Sequence, residues 1–207
     1  MQAIHIFRRR DCDQTSKTDG IDLVVACNVM NRVKYPYTEV VGRVSDDVMI
    51  RVHLAPTTTV RQAVSKVREA MTEAMVHQGY PMRALVEDLN FAADGRPPCQ
   101  TWFLMLPLAM FSGTLAVLLP EQQRPLRVAP DLYLEQTDLV PREATCWFDL
   151  DLTFAEGHDS IQASMAYSTE VYTEGTVQRY VDDLVNVMQY VCTHPDVCIS
   201  EILAASE

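Results

Sequence analysis

Basic residues almost vanish from the second part of the chain. Residues 131–207 hold two Lys/Arg against 15 Asp/Glu, whereas residues 1–130 hold 15 against 13. The whole 207-residue chain carries a net charge of −11. An acidic surface repels phosphate backbones, which argues against nucleic-acid binding. The acidic part reads as a solvated face, with a docking face as the alternative. Also missing is any apolar run of the roughly 20 residues that a membrane helix needs. The start, "MQAIHIFRRRDCDQ", is no signal peptide: its apolar stretch is short, and its arginines follow that stretch. No Gly-x-Ser-x-Gly elbow, glycine-rich phosphate loop or Walker pattern occurs. The six cysteines form no CxxC pair and no zinc-like spacing with histidine, so no metal site is expected. Free cysteines inside strand-like runs behave as small hydrophobes and suit a reducing, cytoplasmic setting.

What is present suits a soluble globular chain: 48% apolar and 22% charged residues. Residues 1–20 read as a flexible N-terminal arm, and residues 21–207 as the folded unit. "IDLVVACNV" (21–29) is a continuous apolar run of strand length. "VMIRVHL" (48–54) alternates, with Val48, Ile50, Val52 and Leu54 on one face. Thr59 and Gln62 fit a capping box, and Val60, Val64, Val67, Met71, Ala74 and Met75 follow as one helical stripe. Gly79 is expected to supply a left-handed stop, and Pro81 to open a second short helix.

A buried strand lies within 100–111. Phe148, Leu150 and Leu152 alternate in the next strand, and Ile161, Ala163, Met165 and Tyr167 in its hairpin partner. The last helix spans about 174–193, with a stripe of Val177, Tyr180, Val181, Leu184, Val185, Met188 and Val191. Together these predict an α/β domain: a mixed sheet flanked by helices, with one antiparallel region.

Candidate chemistry is sparse. His77 has the richest context of the five histidines, but that context is a helix end. His53 is expected on the surface, His158 at a hairpin tip, and His194 at a helix C-terminus. Ser45, Asp46 and Asp47 precede a strand, where they either cap a turn or line a cleft.

The order of motifs resembles the C-terminal lobe of nonribosomal peptide synthetase condensation domains. "DLVVACNVMNR" (22–32) looks like the family's strand and loop, closed by Asn31 and Arg32. "VVGRVSDDVMIR" (40–51) is similar to Ile-Gly-x-Phe-Val-Asn-Thr…Arg, keeping Gly42 and Arg51. "HQGYPMRALVEDL" (77–89) is similar to His-Gln-Asp-Tyr-Pro-Phe-Glu, keeping His77, Gln78, Tyr80 and Pro81. "GRPPCQTWFLML" (95–106) keeps Arg96 and Pro98 of a Ser-Arg-Asn-Pro segment, and residues 148–188 match the closing hairpin and helix.

The resemblance implies one chloramphenicol-acetyltransferase-like lobe of a two-lobed domain. Such domains join carrier-bound acyl and aminoacyl groups by amide formation, the substrates arriving on phosphopantetheine arms. No directly bound cofactor is implied. Asn28, Asn31, Arg32, Gly42, Ser45 and Asp46 become tunnel-lining candidates. His77, Gln78, Tyr80, Pro81, Arg51 and Arg96 become structural signatures. The family's His-His-x-x-x-Asp-Gly motif belongs to the N-terminal lobe and is absent from this sequence. An N-terminal lobe, a carrier protein, a synthetase or a second copy is therefore the expected partner. The alternatives are a non-catalytic docking module, or a small independent enzyme using Ser45, Asp46, Asp47 and His77.

Overall fold

The computed structural model describes residues 20–30, 39–42, 44–88, 99–107, 125–134, 148–156 and 161–205. The expectations for the arm over residues 1–19, for Asn31, Arg32, Arg96 and His158, and for the hairpin tip at 157–160 lie outside these residues.

Strand β1 (Ile21–Val29) pairs antiparallel with β2 (Asp46–Leu54) over nine residues, from Ile21 opposite Leu54 to Val29 opposite Asp46. Helices α1 (Val60–Val76) and α2 (Met82–Asp88) come next. Strand β3 (Thr101–Pro107) then runs parallel to β1 on one side and to β6 (Leu150–Glu156) on the other. β4 (Leu126–Ala129) and β5 (Leu132–Leu134) form a separate small hairpin. β7 (Ile161–Tyr167) pairs antiparallel with β6, and α3 (Glu174–Thr193) and α4 (Ile199–Ala205) complete the order. The main sheet is β2-β1-β3-β6-β7. It is mixed, as expected, but has antiparallel pairs at both ends rather than in one region.

Alternation along each strand gives the sheet two unlike faces. Leu23, Cys27, Val29, Val48, Ile50, Val52 and Leu54 bury one face against α1, α3 and α4. Leu150, Leu152 and Phe154 continue that face against Tyr172 and the Val177–Tyr180–Leu184 stripe of α3. Phe103 touches both clusters and joins them. Each fully buried Leu or Ile contributes about 1.5–3 kcal/mol by leaving water. The opposite face carries Asp22, Asn28, Asp47, Met49, Arg51, His53, Trp102 and Asp151. Among the described residues its one buried cluster is a small patch of Leu104, Leu106 and Ala155, with no helix in it.

The capping box forms as expected: the Gln62 N–H donates to Thr59 Oγ1, and the Thr59 N–H donates to Gln62 Oε1. The next free donors of α1 find the C-terminal loop, Val60 N–H reaching the Val197 carbonyl at 3.0 Å and Arg61 N–H the Pro195 carbonyl at 2.9 Å.

Three local expectations are corrected. Val64 leaves the α1 stripe and is 64% exposed, while Ala63 and Ala70 join the contact. Val64 lies at the stripe's edge, where a short stiff side chain stays in water and the longer Met71 and Met75 still reach the core. On α3, Val185 and Met188 are exposed, and Val187 and Val191 pack inward. The buried stripe is narrower than the run of apolar residues, because one helix face meets a sheet along a limited arc. Finally, Gly79 supplies no left-handed stop: the positive-φ glycines among the described residues are Gly20 and Gly42. α1 ends at His77, whose N–H turns back to the Ala74 carbonyl at 3.1 Å, and Tyr80 N–H then bonds the His77 carbonyl at 3.0 Å. This tighter i→i−3 turn satisfies the helix end without a left-handed residue.

Candidate functional site

The polar face of the sheet brings part of the predicted set together. Asp46 and Asp47 are the first two residues of β2, not the turn before it. Pairing extends that far because Asn28 of β1 ties the strand start down. Its Nδ2 donates to the Asp46 carbonyl at 3.3 Å and to Asp47 Oδ1 at 3.0 Å. The Asp46 carboxylate is used locally, its Oδ1 accepting from the Asp47 N–H at 2.8 Å. Asp47 Oδ1 also accepts from Trp102 Nε1 at 3.0 Å. One carboxylate oxygen therefore spans three adjacent strands, from β2 through β1 to β3.

Trp102 lies opposite Ala26 on one side and Asp151 on the other. Asp151 is half-buried, and Thr153 Oγ1 donates to its Oδ1 at 3.4 Å. Burial raises the Asp151 pKa above the usual carboxylate range; the Thr153 hydroxyl opposes this, and the negative charge of Asp47 adds to it. Trp102 and Asp151 were not among the sequence candidates. The signal was there in part for Asp151, which sits between Leu150 and Leu152 in an alternating strand at a position facing away from the core. Nothing in either strand says that β3 lies between β1 and β6, and that order sets the two residues beside Asp47.

The nearby thiols do not supply a nucleophile. Burial, then the charge of Asp47, pushes Cys27 up to about 11. Burial likewise pushes Cys99 up to about 11, against a hydrogen bond to the Ala26 backbone, with Asp47 adding to the rise. Both remain thiols at neutral pH, and only a thiolate attacks efficiently.

The other predicted residues sit apart in role. Ser45 is half-buried just ahead of β2, and Gly42 has a φ of +149° with open space where a Cβ would point. Arg51 is exposed at the same face and grips Asp22, with Nη2 2.6 Å and Nε 3.0 Å from its carboxylate oxygens. His77 is an exposed helix-end residue. Gln78 follows it, and the Tyr80 hydroxyl donates to the Asp88 carboxylate, tying the corner to the end of α2. The Pro81 carbonyl accepts the first helical bond of α2, from Leu85 N–H at 3.1 Å. Among the described residues, no hydrogen bond joins His77 to Ser45, Asp46 or Asp47. The arrangement thus holds a fixed carboxylate, an indole and an amide, which can position a polar group. A paired nucleophile and base is not assembled among these residues. No group of three or more His, Cys, Asp or Glu able to hold a metal occurs among the described residues. Among the described residues, no helix is long and apolar enough to cross a membrane.

Similar folds recur in solved structures. The holo form of AB3403, a four-domain nonribosomal peptide synthetase bound to AMP and glycine, superposes with a TM-score of 0.73 at 21% identity; the match covers 88% of this chain and 14% of that one. The X-domain in its complex with OxyB from teicoplanin biosynthesis gives 0.67 at 20% identity, covering 87% of this chain and 37% of that one. These matches define the class: a chloramphenicol-acetyltransferase-like lobe. The sequence matches the family described as Condensation domain over residues 16–207, and the chain belongs to that family. Bacitracin synthase 3 of Bacillus licheniformis is 27% identical over 187 residues, or 90% of this chain. The chain spans 3% of that relative's length.

Proposed function

We propose that the chain serves nonribosomal peptide synthesis as the C-terminal lobe of a condensation domain. An N-terminal lobe would complete it and supply the His-His-x-x-x-Asp-Gly motif. The observation that supports this best is the family match over residues 16–207, which takes in the whole described fold. In this reading an amine on one carrier-bound group attacks the thioester carbonyl of another. An amide forms, and the phosphopantetheine thiol leaves. The polar face of the sheet turns toward the N-terminal lobe. Asn28, Gly42, Ser45 and Asp46 line the channel with Asn31 and Arg32, and Asp47 and Trp102 extend that wall.

Mixing the chain with a condensation-domain N-terminal lobe tests the idea. Complex formation is followed by size-exclusion chromatography, and amide formation from carrier-bound thioesters by mass spectrometry. A heterodimer that makes product is expected. A chain that stays alone, or only self-associates, and yields no amide overturns the proposal.

The likeness to an X-domain seen in complex with OxyB favours one second reading. The chain would then be a non-catalytic module that docks a carrier protein or recruits a tailoring enzyme. Titration against carrier proteins and such enzymes distinguishes it, since this reading requires binding below near-millimolar concentration without any N-terminal lobe.

A further inference from the structure

No further inference is drawn: the strongest candidate, the carboxylates of Asp47 and Asp151 beside Trp102 on the polar face of the sheet, belongs to the site already described, and the exposed apolar stripe of Val185, Met188 and Cys192 on α3 has nothing in the structure to show what covers it.

Discussion

The two faces of the sheet are built from the same strands and differ at every alternate residue. On the helix-covered face Leu150 and Leu152 are 0% and 1% exposed, and their neighbours are aliphatic or aromatic. On the other face the same strands present Asp22, Asn28, Asp47, Arg51, His53 and Asp151, several of them hydrogen-bonded across strands. Dispersion and the loss of hydrated apolar surface hold the first face together. Directional bonds arrange the second, and each adds little net stability. A strand of period two can therefore separate folding from recognition, giving odd positions to one task and even positions to the other.

Truncation of the covered face has the largest expected effect. Leu152→Ala should lower the stability measured by urea unfolding by about 3–4 kcal/mol, the usual cost of a buried leucine with its cavity. Met49→Ala, on the other face of β2, should cost under about 1 kcal/mol. Equal losses would break the comparison, because they would mean that the second face is as tightly packed as the first.

Gly20 comes next. Its φ is +83°, and a Cβ there would lie 2.7 Å from the Leu54 carbonyl oxygen and 3.0 Å from His53 Nε2. Gly20→Ala combines backbone strain with a clash where β1 enters the sheet, so a loss of about 2 kcal/mol is expected. The neighbouring Ile21–Leu54 pair should show faster amide exchange. An unchanged unfolding midpoint would mean that this end of the sheet relaxes freely.

The elements behind these two predictions were legible to different degrees. The β1 run, the β2 alternation, the Thr59–Gln62 box and the 174–193 helix follow local rules of period and capping, and the structure keeps them. The Gly79 stop was not legible, because a tight turn at His77 satisfies the same carbonyls. Nor was the contact of Asp47 with Trp102, 55 positions apart. It depends on which strand follows which in the sheet, and alternation within one strand carries no such information. The resemblance pointed to Asn28 and Asp46, and the Ser45–Asp47 cluster to Asp47, and these three do meet. His77, from a separate motif and expected at a helix end, does close α1.

On the polar face, Asp47→Ala removes the acceptor shared by Asn28 and Trp102. The half-buried Trp102 N–H would lose its carboxylate and Asn28 Nδ2 would keep only the Asp46 carbonyl, at an expected cost of about 1–2 kcal/mol. Trp102 fluorescence should change as the indole N–H loses its carboxylate. Asp47→Asn keeps a side-chain oxygen and should recover most of the stability and the spectrum. If Asp47→Ala leaves both unchanged, the bridge across three strands does not hold the face together.

The smallest and most selective test concerns Asp151. Its carboxyl has a raised pKa in the folded protein, caused first by burial, opposed by Thr153 and reinforced by Asp47. Well above the folded pKa both native and unfolded states are ionised, and the buried charge lowers stability. As pH falls through the folded pKa, the native state takes up its proton first, and stability rises. The relief is complete below the unfolded value of about 3.9. Asp151→Asn should therefore stabilise the protein at neutral pH, and its advantage should shrink on acidification until the two proteins converge. Denaturant unfolding of both proteins at stepped pH measures the difference and cancels the carboxylates that they share. A variant less stable at neutral pH, or an advantage that grows toward acid, would reverse the sign and place Asp151 among favourable contacts. The polar face would then be a stabilising surface like the covered one.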